Sequence, residues 1–300
     1  MIRLFILALL LCASAAFAID WPSETAVVTS NFGESDMGRP MLGDTFRAEG
    51  PLTAIENGEI IFRRRVVSPA SRFVSTLGDM AVVDHLDGLI SIYSRAELPQ
   101  TAMRKTSDTG VGAASVIAEA GVSGWSKTKG FYLSIFDRKD RRWVNPALVI
   151  PPRPDTRPPL IRSVKLKNRD NQMIDLAASR LIRQGSYTIV VHAEDSTDTA
   201  GTLLMPMRII CSVNGVEAGV LAFETFSARD GVLMMFRNGL VPVSQVYAYA
   251  PAVEVGEVFF NRGQVTLEII VQDITALLSS GAAQLEGNNS RRASYRLFIE

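Results

Sequence analysis

Leu77-Gly78-Asp79-Met80-Ala81-Val82-Val83-Asp84-His85-Leu86-Asp87-Gly88-Leu89-Ile90-Ser91-Ile92-Tyr93 carries the signal from which the architecture can be read. Two short apolar and β-branched runs, Met80–Val83 and Leu89–Tyr93, flank a polar segment ending in Asp87-Gly88. Asp and Gly tolerate the positive φ of a tight connection, so the stretch predicts an antiparallel hairpin with His85 serving its turn. Runs of the same kind recur at Ala26–Thr29, Gly58–Phe62 and Phe131–Phe136, each interrupted by Gly, Asp or Asn. That is the punctuation of strands, with no long stretch of helical period.

The pattern continues in Ser186–Ala193, Met207–Val213, Gly219–Phe223, Gln245–Ala250, Val265–Val271 and Ser294–Ile299. From Tyr187 to Ala193 the odd positions form an apolar face and the even ones a mixed face, as in a sheet packed on one side. Only Ala113–Ala120 and Ile174–Leu181 have the composition of short helices. Pro151-Pro152-Arg153-Pro154-Asp155-Thr156-Arg157-Pro158-Pro159 puts five prolines in nine positions, which removes backbone donors and favours an extended, semi-rigid spacer. The expected organisation is a β domain over 19–150, a linker over 151–159 and a second β domain over 160–300. At least six strands in the second predict an immunoglobulin-like β-sandwich, making the whole chain all-β.

Composition narrows the function classes. Of 300 residues, 47% are hydrophobic and 21% charged, with 31 basic against 31 acidic groups, which excludes disorder, collagen and coiled coil. A neutral chain has no electrostatic pull toward nucleic acid. At the N-terminus Arg3 precedes the apolar run Leu4–Leu11, and Ala16-Phe17-Ala18 has the small-x-small form of a cleavage site. Residues 1–18 are therefore expected to be a signal peptide, with the mature chain exported to the periplasm or the extracellular space. The run is shorter than the roughly 20 residues a span needs, and no later stretch qualifies, so no transmembrane segment is expected after cleavage. Cys12 offers the alternative of a lipidated cysteine, against which stands the bulky Leu11. Cys211, in Ile209-Ile210-Cys211, is the sole remaining cysteine and reads as a small buried hydrophobe.

Taken in order, several segments between residues 25 and 150 are similar to the LytM-type (M23) zinc peptidases that cut peptidoglycan cross-links. Thr29-Ser30-Asn31-Phe32-Gly33 resembles that family's Ser-x-Phe-Gly opening. Gly43-Asp44, Glu49-Gly50-Pro51-Leu52-Thr53-Ala54 and Asn57-Gly58-Glu59-Ile60 resemble its Asp-containing strand, Gly-Thr-Pro-Val-x-Ala turn and Asp-Gly-x-Val strand. The opening hairpin resembles its Tyr-Gly-Asn…Ile-Asp-His-Gly-Asn-Gly segment; Ser91-Ile92-Tyr93-Ser94-Arg95 falls at its Thr-x-Tyr-x-His strand, and Val144-Asn145-Pro146 at its closing Val-Asn-Pro. The resemblance implies an antiparallel LytM-like sheet for this half, ahead of the sandwich that the strand pattern predicts for the second.

It also implies a zinc ion held by a His-x-x-x-Asp segment and a His-x-His strand, with an open position for the attacking water. Asp44 stands at the Asp, but Pro40 occupies the histidine position four residues earlier, Tyr132-Leu133-Ser134 replaces His-x-His, and Arg95 replaces the histidine of Tyr-x-His. The whole chain has two histidines: His85, at a turn position that is no ligand in the family, and His192, beyond the linker. A set of Asp44, Asp84 and Asp87 would suit a hard, oxygen-loving cation and would not make a zinc hydroxide at neutral pH. The expectation is thus a pseudo-peptidase with no catalytic residues, no metal and no cofactor, Asp44 being a vestigial ligand position.

Asp44, His85, Arg95, Tyr132 and Ser134 remain as groove residues. Arg95 is suited to grip a carboxylate or a backbone carbonyl; alternatively it only replaces a lost cation and pairs with Asp44. The expected role is a binding or regulatory module of the cell envelope whose partner is peptidoglycan, a cell-wall hydrolase or another envelope protein. Two alternatives stay open: a metallopeptidase with an atypical site anchored by Asp44, and a structural or adhesive envelope protein. Arg63-Arg64-Arg65 and Arg138–Arg142 read as basic hairpin tips, Glu194–Asp198 as a polar turn in preference to a calcium loop, and Trp125 and Trp143 as core of the first domain.

Overall fold

The hairpin is present: Asp79–His85 pairs antiparallel with Leu89–Ala96, and Gly88, at φ +98°, makes the turn. Burial alternates along Asp79–His85, so Asp79, Ala81, Val83 and His85 point inward, as the two-residue period requires. The computed structural model describes residues 19–66, 75–99, 109–113, 115–198, 201–279 and 289–300; the expected signal peptide, with Cys12, lies outside them.

Leu89–Ala96 is followed in the sheet by the central strand Gly130–Asp137, with Ser94 opposite Tyr132. On its other side this strand receives Asp44–Arg47, with Thr45 opposite Tyr132 and Asp44 opposite Leu133. Gly43 must be glycine, because a Cβ there would stand 2.1 Å from the Leu133 carbonyl oxygen. The inward side chains build a first core of Phe46, Leu52, Ile55, Val83, Tyr93, Phe131, Leu133 and Ile135, in which the Phe46 and Phe131 rings stack 4.7 Å apart.

After a turn over 138–141 the chain returns as Arg142–Val144, and this short strand joins the two halves. Trp143 lies opposite Ile135's neighbour Phe136 on one side and opposite Phe226 of Val216–Arg229 on the other. One 15-stranded sheet therefore runs through both halves of the chain. In the second half it continues through Arg208–Val213, Gly263–Gln272 and Ser290–Ile299. A five-stranded sheet containing Leu160–Lys167, Gly185–Ser196 and Val253–Phe260 shares a second core with it, including Val164, Ile189, Val191, Ile209, Leu221, Phe223, Val255 and Ile269. The sheets meet most closely at Gly219 and Gly256, where added Cβ atoms would lie 2.5 and 2.8 Å from carbonyl oxygens and press on Cys211. Burial pushes that thiol's pKa up to about 12, so it stays protonated and inert.

The all-β reading holds, with local corrections. Gln245–Ala250, expected as a strand, lies in the short helix Val243–Val246 and the turn after it. Ala113–Ala120, expected as a helix, contains the strand Val116–Glu119 paired with Pro51–Thr53. Ile174–Leu181 ends the strand Met173–Asp175 and turns where Asp175 caps Ala177. In each case a pairing partner or a flanking proline overrode the local pattern. Arg63 and Arg64 continue the strand Gly58–Arg64, whereas Arg138–Arg141 do form a hairpin turn. Among the described residues no helix is long and apolar enough to cross a membrane.

Candidate functional site

A groove of about 510 Å³ opens over the central strand, between the hairpin Ser35–Pro40 and the loops at Thr76–Leu77 and Trp125. Pro40, Arg95 and Tyr132, far apart in sequence, all line it. Trp125 is 62% exposed and Met37 88%, so its rim is apolar and open. Trp125 is thus a surface residue and not core. Its setting, Ser123-Gly124-Trp125-Ser126-Lys127, has loop composition and was the signal for this.

Arg95 has φ +57° inside a strand, a conformation that costs a residue with a Cβ roughly 1 kcal/mol. Its N–H donates to the Leu77 carbonyl at 2.7 Å, and its guanidinium lies 5.2 Å from the centre of the Tyr132 ring. Arg95 Nε is buried without a hydrogen-bond partner, as are the hydroxyls of Ser94 and Thr45, which flank Tyr132 in the ladder. Ser134 donates to the Leu42 carbonyl at 2.6 Å. Burial first, and then the charge of Asp44, push the Tyr132 phenol well above its usual range, so it remains a neutral hydroxyl.

Asp44 serves a different space. It is buried, accepts from the Phe32 N–H at 2.8 Å and lines a small cavity of about 110 Å³ with Trp21, Phe46, Arg153, Met205 and Met207. Desolvation raises its pKa to about 7, against the opposing Phe32 N–H bond and the charge of Arg153. Arg95 is not its ion-pair partner; that guanidinium lies over Tyr132. The expected spacer is strapped down here. Arg153 donates to the carbonyls of Ser23 and Ala26 and stacks on Trp21 and Phe46, while Trp21 Nε1 donates to the Pro151 carbonyl at 2.8 Å. Nothing in the local sequence around Arg153 announced that role.

His85 stands apart from the groove. Its ring is buried, with Nδ1 at 2.9 Å from the Asn57 carbonyl and Nε2 at 2.8 Å from the Ser91 hydroxyl, which donates to Tyr93. Trp143, expected in the first core, packs against the second and edge-on to Phe136, because its strand is annexed by Val216–Arg229.

The donors at the family's zinc positions do not fit that ion. Pro40 has no donor, the Asp44 carboxylate is held by Phe32 in the cavity, and the Ser134 hydroxyl is committed to Leu42. Elsewhere, among the described residues, Asp155, Asp195 and Asp273 bring carboxylate oxygens within 4.8 Å of one another. Burial and then the charge of Asp273 raise Asp195 to about 7, and Asp273 is raised by burial while accepting from Ala276 and Asn289. In the segment Glu194–Asp198, Glu194 and Asp198 are occupied by Arg162 and Arg157.

A family model matches residues 158–286, less than half of the chain. No curated protein matches. Solved structures similar to this chain are M23 peptidase domains at low identity. The catalytic domain of the prophage-encoded M23 protein EnpA of Enterococcus faecalis is 21% identical, over 41% of this chain and 88% of its own, with a TM-score of 0.32. The catalytic domain of lysostaphin from Staphylococcus simulans is 18% identical, over 38% and 81%, with a TM-score of 0.31. A zinc-containing peptidase from Vibrio cholerae is 18% identical, over 41% of this chain and 37% of its own, with a TM-score of 0.33.

Proposed function

We propose that the chain is an exported, non-catalytic LytM-like envelope protein that binds where its relatives cut, acting as a binding or regulatory module in cell-wall metabolism. One observation carries the reading: Pro40, Arg95 and Tyr132, the residues standing at three histidine positions of the resemblance, line a single groove although they are distant in sequence. The groove is a shaped cleft whose side chains suit holding a ligand and offer no imidazole to activate water. Its partner is peptidoglycan or a cell-wall hydrolase, and the second half, read as an immunoglobulin-like sandwich, stiffens the groove's support through the shared sheet.

The test uses purified full chain, assayed for zinc by elemental analysis, for muropeptide release, and for co-sedimentation with murein sacculi. Sacculus binding without turnover is the expected result. Stoichiometric zinc with chelator-sensitive cleavage overturns the reading.

A further inference from the structure

Resting on the reading of the groove as a site that binds without cutting, we propose that it takes peptides by a carboxylate, gripped by the guanidinium of Arg95. Arg95 is held in a left-handed conformation that a strand residue ordinarily avoids, and the result is a guanidinium laid over the Tyr132 ring at the groove wall. Strain of this kind persists only where the surrounding structure over-determines it. The contact with the ring engages the guanidinium's charge without using its N–H groups, which are where an acceptor binds. No carboxylate meets that edge: Arg95 forms no ion pair among the described residues, and since its Nε is buried out of a ligand's reach, the Nη groups are the donors left for an acceptor.

Among the described residues, Arg39, the second guanidinium of the groove, likewise has no ion-pair partner, and Asp36 is the one acid lining the same space. The site therefore presents excess positive charge and a planar donor fork above an aromatic floor. A carboxylate supplies two coplanar oxygens in matching geometry. Trp125 and Met37 on the rim give apolar surface to the residues beside it. Two sources of the same group are open to a peptide: its C-terminus and an Asp or Glu side chain.

The experiment immobilises the full chain and offers three randomised tetrapeptide libraries. One has free C-termini and no acidic residues, one is the same set amidated, and one is amidated with a single Asp or Glu. Retention of the first or the third about tenfold above the second is expected, and whichever is retained names the source. Equal retention of all three, or of none, overturns the proposal. Arg95→Gln should abolish the preference and Arg95→Lys restore only part of it, since an ammonium keeps the charge and loses the fork. Both variants should keep the wild-type melting temperature, and a preference that survives Arg95→Gln also overturns the assignment. Co-sedimentation with sacculi is read separately: carboxylate preference without sacculus binding removes the cell-wall reading and leaves this one, and the reverse removes only this one.

Discussion

The two spaces on either side of the Asp44–Arg47 and Gly130–Asp137 pairing differ in almost every physical respect. The groove is open, with an aromatic rim, a strained arginine and polar atoms that have no partner. The cavity around Asp44 is small and mostly apolar, and Arg153 stitches its wall to three backbone carbonyls. One pair of strands makes both, because successive side chains leave a strand on opposite faces. Asp44 lies opposite Leu133 and belongs to the cavity, whereas Tyr132, one position away, belongs to the groove. Residues adjacent in an aligned motif can thus end up in a joint and in a binding surface. The groove keeps unmet hydrogen-bonding capacity, as a ligand site does, and the joint has used most of its own.

Gly43→Ala should do the largest damage, because it strikes the pairing on which both spaces depend. The added methyl must displace the Leu133 carbonyl, and a loss of more than about 4 kcal/mol in urea denaturation is expected, with both regions failing together. Retention of wild-type stability would show that the two strands are not so closely held.

The pH response should separate the regions. Asp44 and Asp195 keep their protons in the fold up to about pH 7, whereas an unfolded aspartate loses its proton near 4. The folded state binds the extra proton, so this contribution to stability is fully present below about pH 4 and is lost as the pH rises to about 7. Each group contributes a slope of up to about 1.4 kcal/mol per pH unit in that window. Asp44→Asn should flatten the part due to the joint, measured as denaturation midpoints across the window; an unchanged slope would mean that Asp44 is more solvated than its burial indicates.

Arg153→Ala should cost about 2 to 3 kcal/mol, through the loss of charge-assisted bonds to buried carbonyls, while leaving ligand capture at the groove intact. Loss of capture in a folded variant would show that the two spaces are coupled. The smallest change in stability is expected for Arg95→Gly. Glycine relieves the positive φ but forfeits the contact with Tyr132, so the net shift should stay within about 1 kcal/mol while peptide capture disappears. A large loss of stability would mark Arg95 as a structural residue.

Legibility in the sequence followed the range of the interactions concerned. The hairpin at 79–96 and most strands were readable because alternation and an Asp-Gly turn are local signals. Leu160–Lys167 and Val253–Phe260 were not, because charged residues interrupt their apolar faces; Lys167 and Glu254 in fact pair with each other across the sheet. Gln245–Ala250 read as a strand from its β-branched and aromatic residues, although Pro242 and Pro251 bound the segment that forms the helix Val243–Val246 and the turn after it. Of the residues that line the groove, the resemblance pointed to Arg95 and Tyr132, whereas Ser134, expected there too, is buried against the Leu42 carbonyl outside it; Arg39 and Trp125 were missed. Their roles depend on loops brought over the central strand from elsewhere in the chain.

By itself, the amino-acid order determined that the chain would fold as β structure and that only two imidazoles exist in it, since period and residue identity are properties of the chain alone. Tertiary structure alone decided that Arg142–Val144 would fuse the halves into one sheet, that Asp44 would turn into the joint, and that Arg95 would lie over Tyr132. Each of these depends on which strands become neighbours and in what register. That choice is made by burying apolar surface contributed by residues far apart in sequence, and a one-residue slip would send every side chain to the opposite face.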